Sequence, residues 1–136
     1  MKKVLIVDDD AIICDLLVDA LSDEFRTEAV TDGLDAMSAF MREKPDVIIC
    51  DFNMNMPQLH GVSVVDYILE KPENKTIKFV LISGYLSHEQ LKRWKELIPR
   101  AVFFSKPFII NEVKAAIHEL IDEEKPAKDS NPMRQP

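Results

Sequence analysis

Short apolar runs alternate along this chain with longer segments in which apolar residues return at helical spacing. Val4 to Val7 is almost wholly apolar, as expected of a parallel strand covered on both faces. After it, Ile12, Ile13, Leu16, Leu17, Ala20 and Leu21 fall on one face of a helix, with Asp9 or Asp10 placed to cap its N-terminus. Phe25 to Val30 alternates weakly and predicts a second strand. Thr31-Asp32-Gly33 then punctuates the chain before a helix that carries Ala36, Met37, Phe40 and Met41 and is closed by Pro45. Asp46 to Cys50 predicts a third strand. A loop from Asp51 to about His60 follows, and a third helix begins near Gly61 with Val62, Val65, Ile68 and Leu69 inward. Ile77 to Ile82 reads as the fourth strand. Ser87 and Gln90 have the spacing of a capping box, opening a helix that runs through Ile98 and stops at Pro99. Ala101 to Phe104 is the fifth strand, and Val113, Ala116, Ile117, Leu120 and Ile121 mark the inner face of a last helix.

Parallel neighbours cannot be joined by a tight turn, so five strands alternating with five helices imply crossover units. The expected class is α/β, a doubly wound five-stranded parallel sheet of the flavodoxin-like (βα)5 kind. With 136 residues, 46% of them hydrophobic, the chain suffices for one core. That domain is expected over residues 1–124. From Lys125 the periodicity is lost among Pro126, Asp129, Ser130, Asn131, Pro132 and Pro136, so residues 125–136 read as a flexible tail or the start of a linker.

Charge and cysteine usage narrow the class further. A formal net charge of −7 without a Lys/Arg cluster argues against a nucleic-acid-binding surface. The apolar run after Lys2-Lys3 stops at Asp8, so neither a signal peptide nor a membrane span is expected, and a cytoplasmic location is the default. Cys14 and Cys50 sit in apolar helix and strand patterns with no CxxC spacing, which predicts buried reduced thiols.

The chemistry gathers at the strand ends. In an open α/β sheet, ligands bind in the crevice beyond the carboxyl ends of the strands. There the pattern places Asp8-Asp9-Asp10 after the first run, Asp51 after the third, Ser83 after the fourth and Lys106-Pro107 after the fifth. Carboxylates, a hydroxyl and an ammonium converging there suit a divalent cation and a phosphoryl group. Plainer readings stand beside this one. The acidic triplet by itself is ordinary helix capping, a lone Lys106 is more often a solvated loop lysine, and a lone Ser83 is more often a turn residue. His60, His88 and His118 lack ligand spacing, Met54 and Met56 read as loop packing, and Trp94 as packing on a helix face.

Taken together, these motifs resemble the receiver domain of two-component response regulators over residues 2 to about 123. Asp8-Asp9 looks like the family's acidic pair, Asp51 like its phosphoacceptor, Ser83 like its hydroxyl and Lys106-Pro107 like its Lys-Pro. The resemblance implies Mg2+-dependent phosphoryl transfer to Asp51 from a phosphohistidine donor, either a sensor histidine kinase or a phosphotransfer protein. It implies slow autodephosphorylation rather than enzymic turnover. Asp8, Asp9 and Asp51 would hold the metal, Asp8 through a water, with a backbone carbonyl at Asn53 completing the set. Lys106 would pair with Asp51 before transfer and with a phosphoryl oxygen afterwards. Ser83 and Phe103 would form the switch, and Asn53 and Tyr85 would flank the path of the hydrolytic water. An unidentified downstream protein is the expected partner, with phosphorylation-dependent homodimerisation as one form of output. The chain is then either a regulator acting through protein contact alone or a domain of a longer one.

The pattern departs from the family in three places. Met56-Pro57 begins five residues after Asp51 where three is usual, and Gly61 falls at ten where eight is usual, so the loop carries about two extra residues and Asn53 or Asn55 could own the metal-binding carbonyl. Ser83-Gly84 stands where Thr-Ala is commoner, and Pro99-Arg100 where a glycine is frequent. Two other functions compete. An aspartate-nucleophile phosphohydrolase of the haloacid dehalogenase type requires a second aspartate where Asn53 stands. A receiver-like interaction module without phosphorylation usually lacks an acidic residue or the lysine, and both are present here.

Overall fold

The computed structural model of the chain describes residues 1–51, 64, 68–74, 76–84, 87–98 and 100–122. Five parallel strands form one sheet in the order β2-β1-β3-β4-β5: β1 is Lys3–Val7, β2 Arg26–Val30, β3 Val47–Asp51, β4 Lys78–Ser83 and β5 Ala101–Ser105. Four helices are bounded among the described residues, α1 Ala11–Leu21, α2 Gly33–Glu43, α3 His88–Leu97 and α4 Ile110–Asp122, with a 3-10 turn at Pro72–Asn74. Val64, Ile68 and Leu69 also have helical backbone, where the third helix of the sequence pattern is expected. The remainder of that segment, with Val62 and Val65, lies outside the described residues, as does the expected tail.

Strand alternation divides the core into two layers. Leu5, Val7, Ile48, Cys50, Phe79 and Leu81 point to the side covered by α2 and by Val64, Ile68, Trp94 and Ile98. Val4, Ile6, Val47, Ile49, Val80 and Ile82 point to the side covered by α1 and α4, through Cys14, Leu17, Leu21, Val113, Ile117 and Leu120. Covering both faces is why the central strands read as unbroken apolar runs.

Local signals set the boundaries. The Asp10 side chain accepts from the Ile12 N–H at 2.9 Å and caps α1, resolving the choice between Asp9 and Asp10. Asp32 caps α2, and the Ser87/Gln90 box is formed in both directions, at 3.0 and 3.1 Å.

Several expectations are corrected. The buried face of α1 is Cys14, Leu17 and Leu21, whereas Ile12 is 71% and Leu16 51% exposed. The apolar stripe is wider than the contact, and the sheet takes the part centred on Leu17. Met41 is likewise exposed, leaving Ala36, Ala39 and Phe40 as the buried face of α2. Val64, not singled out by the pattern, is buried beside Ile68. Phe25 lies just before β2 rather than in it, Asp46 precedes β3 and accepts from the Lys3 N–H, and Asp51 and Ser83 are the last residues of their strands. Ile77, expected as the first residue of the fourth strand, precedes β4, which opens with a buried Lys78 opposite Val47.

Candidate functional site

The sheet order reverses between β1 and β3, and the crevice beyond this switch point is where such sheets receive ligands. Asp8 and Asp51 stand at that end, following Ile6 and Ile49 by two residues and therefore on the α1/α4 side. Both are 2% exposed, an uncommon position for carboxylates unless they are paired. The partner is Lys106, whose Nζ lies 2.9 Å from Asp51 Oδ2 and 3.2 Å from Asp8 Oδ2. One ammonium thus bridges the ends of β1 and β3. Its own backbone is anchored too, because the Lys106 N–H donates to the Ser83 carbonyl at 2.8 Å and ties the exit of β5 to that of β4.

Asp8 is held from its other side. Its Oδ1 accepts the Asp10 N–H at 2.8 Å, so the turn that caps α1 also orients the acidic pair. Asp9, in the same turn, is exposed. Carboxylate oxygens of Asp8, Asp9 and Asp51 all lie within 4.8 Å of one another. Burial, reinforced by Asp51, raises the Asp8 pKa above its ordinary value despite the opposing Asp10 N–H and Lys106. Burial alone would lower the Lys106 pKa, but its bond to Asp51 and the charges of Asp51 and Asp8 outweigh that and raise it. The ammonium therefore stays charged and acts as a fixed counter-ion. Three carboxylates against one cation still leave an excess of negative charge, and the donor set is all oxygen, which fits a hard divalent cation such as Mg2+.

Ser83 is buried at the end of β4, one residue beyond Ile82, the cross-strand partner of Asp51. Phe103 is opposite Leu81 on β5 and packs against the layer containing Leu81 and Trp94. Alternation puts Ser83 on that same face, one step above the Leu81–Phe103 pair. The structure thus joins Asp8, Asp9, Asp51 and Lys106 at one point, and places Ser83 and Phe103 on the neighbouring strands β4 and β5. Asn53, Asn55 and Tyr85 lie outside the described residues. Sequence reasoning did not register the Asp10 N–H on Asp8 or the Ser83 carbonyl on Lys106, since backbone partners carry no side-chain signal. Cys14 and Cys50 are free and buried, as expected, and burial holds their thiols at about 11 and about 12.

The profile of the response regulator receiver domain matches residues 4–118, most of the chain. The chain belongs to this family. Among its relatives is the sporulation initiation phosphotransferase F of Bacillus subtilis (strain 168), 29% identical over 121 residues that make up 88% of this chain and 94% of that protein. A probable chemotaxis protein CheY of Rhizobium etli is 31% identical over 118 residues, 85% of this chain and 88% of that protein. The crystal structure of the chemotaxis protein CheY4 of Vibrio cholerae superposes with a TM-score of 0.76 at 26% identity, covering 88% of this chain and 98% of that one. This receiver domain is accordingly a component of two-component signalling. Receiver domains bind Mg2+ through acidic residues, interact with histidine kinases or phosphotransfer proteins, and are generally not enzymes in the ordinary sense. Among the described residues no helix is long and apolar enough to cross a membrane.

Proposed function

We propose that this receiver domain accepts a phosphoryl group on Asp51 from a phosphohistidine donor and converts it into a changed protein-binding surface. The observation that carries this reading is the Lys106 ammonium shared between two almost fully buried carboxylates at the switch point of the sheet. In the transfer, the phosphorus–nitrogen bond of the donor breaks, a bond forms from an Asp51 carboxylate oxygen to phosphorus, and the imidazole leaves with the electron pair and takes a proton. Asp51 is held in place by β3 and by Lys106, so little reorganisation remains for the transition state. When bound by Asp8, Asp9 and Asp51, Mg2+ would supply the charge neutralisation that an anionic nucleophile and an anionic phosphoryl group require. Lys106 then exchanges its contact with Asp51 for one with a phosphoryl oxygen. Ser83, at the end of the adjacent strand, supplies a hydroxyl for another, and Phe103 below it responds to the space that Ser83 vacates. By the family resemblance, a backbone carbonyl at Asn53 or Asn55 would complete the metal's ligands, and Asn53 and Tyr85 would tune dephosphorylation.

The donor requires a surface beside the site. Ile12 and Leu16 on the first turns of α1, and Ile109 just before α4, are 71%, 51% and 60% exposed. All belong to segments that follow the acidic turn or Lys106 in the chain. They suit the apolar part of a contact that brings a kinase or phosphotransfer histidine to Asp51. Incubation with acetyl phosphate and Mg2+ should add one acid-stable, base-labile phosphoryl group, read by intact mass. Asp51→Asn should abolish it, and wild-type stoichiometry in that variant would disprove the assignment.

A further inference from the structure

The outer edge of β2 is open among the described residues, since β1 is its one strand neighbour. Its register against β1 runs without a bulge from Arg26 to Val30, and the strand contains no proline or lysine. It therefore lacks two of the usual devices that blunt an edge against further pairing, a bulge and a proline, and its charges alternate in sign. Which backbone groups face outward follows from the bonds to β1. The Arg26 N–H donates to the Lys2 carbonyl at 2.9 Å, and the Val30 carbonyl accepts the Asp8 N–H at 3.2 Å. Backbone polarity alternates along a strand, so Arg26, Glu28 and Val30 are turned to β1, and Thr27 and Ala29 present their N–H and C=O to the open side.

We propose that this edge pairs with the same edge of a second copy of the chain, antiparallel about a two-fold axis through Thr27, to form a continuous sheet across the dimer. The charge order commits the edge to this occupant. Around that axis Arg26 of one copy stands opposite Glu28 of the other, and Glu28 opposite Arg26, so both cross-strand pairs are of opposite sign. A parallel arrangement in register would set like charges together. The backbone supports the same centre: Thr27 meets Thr27 as a hydrogen-bonded pair with reciprocal N–H···O=C bonds. That leaves Arg26 and Glu28 in the flanking non-hydrogen-bonded positions, where side chains approach more closely. Ala29 donates to the Phe25 carbonyl of the other copy, while the Phe25 N–H stays with the Leu21 carbonyl. The Arg26 side chain is exposed and makes no ion pair among the described residues, so it is available. Glu28 already contacts Arg42 of α2 and would bridge it to the incoming Arg26. On the other face the Thr27 hydroxyl is steadied by Ser22 at 3.2 Å. One strand edge is a small interface and each chain carries a net charge of −7, so the association belongs to the weak, reversible class.

Sedimentation velocity of the full chain over a dilution series, without phosphoryl donor, tests this. The wild type should shift from monomer to dimer with concentration. Arg26→Glu turns both attractive pairs repulsive and should raise the dissociation constant about tenfold or more. Combining it with Glu28→Arg restores opposite signs and should restore dimerisation. Mixing the two single variants should likewise give a heterodimer that neither forms alone. Thr27→Pro removes an outward N–H that the monomer does not use and should leave a folded monomer by circular dichroism. A wild type that stays monomeric throughout, or a dimer unaffected by Arg26→Glu or by Thr27→Pro, overturns the proposal.

Discussion

Replacing Lys106 by methionine keeps most of the side chain's apolar stem and removes the cation from between Asp8 and Asp51. Both carboxylates are 2% exposed, and Nζ lies 3.2 and 2.9 Å from Asp8 and Asp51, so the variant leaves two crowded negative charges without the cation they share. Breaking a fully buried pair by deleting one partner costs about 3–5 kcal/mol. The Lys106 side chain is 23% exposed and water reaches the vacated side, so the expected loss is about 2–3 kcal/mol at neutral pH in a metal chelator. The pH dependence has a definite sign. Lys106 has a raised pKa in the fold, so its contribution is complete below its ordinary value of 10.5 and disappears only as pH rises through the folded value. On the acid side the contribution fades as Asp8, whose pKa is raised above 3.8, takes up its proton. Urea unfolding of wild type and Lys106→Met in EDTA, at pH 7 and in the acid range where Asp8 is protonated, measures both. A loss under about 0.5 kcal/mol at pH 7 would mean that the pair behaves as a solvent-exposed one, and the reasoning fails. A loss of equal size at acid pH would assign it to packing.

Magnesium should stabilise the wild type by about 1.4 kcal/mol at a concentration tenfold above its dissociation constant, and Asp9→Ala should cancel that rise in a thermal melt; an equal rise in the variant counts against the metal site. Asp8→Asn should raise stability at neutral pH in chelator. The folded pKa of Asp8 is raised, so its favourable contribution exists only below the unfolded value of 3.8 and is lost as pH rises through the folded one; a less stable variant at pH 7 contradicts this sign. For the phosphorylated form, Tyr85→Ala should hydrolyse faster than wild type through loss of water exclusion, and Asn53→Ala should change the rate less. A larger effect from Asn53→Ala would place the extra loop residues beyond Met54.

Much of the fold was readable because covered parallel strands leave unbroken apolar runs. Val4 to Val7 and Phe79 to Ile82 needed no tertiary information. The helices were readable in existence and less so in orientation. Ile12 and Leu16 belong to the α1 stripe by spacing, yet the sheet contacts the strip through Cys14, Leu17 and Leu21. Periodicity gives the width of an apolar face but not which part meets the core. Lys78 falls within the fourth strand by pattern, yet its residue type gives no sign that pairing opposite Val47 buries it. At the site, Asp8, Asp9, Asp51 and Lys106 were legible because each ends a strand or begins a loop beyond one. Their second partners, the Asp10 N–H and the Ser83 carbonyl, are main-chain groups and leave no trace in residue type.

Those main-chain anchors bear on how a local charge change could be felt at a distance. A phosphoryl group adds roughly 1.5 to 2 negative charges and new acceptor oxygens at Asp51. In the structure Lys106 divides itself between Asp51 and Asp8, and Asp8 in turn holds the turn that caps α1. Drawing the ammonium towards a phosphoryl oxygen would weaken its hold on Asp8, so one displacement loads both the start of α1 and the end of β5. The second load has an outlet. The backbone of Lys106 is fastened to Ser83, and Phe103 is opposite Leu81 one step below it, against Trp94 and Ile98. A rigid interior cannot absorb such a shift continuously, so the response would fall on a partly buried side chain near Ser83, such as Phe103, rather than on Leu81, which is 1% exposed. On the proposed reading Phe103 would be the side chain that moves, and α3, which supplies Trp94, the surface element that its movement would reach first.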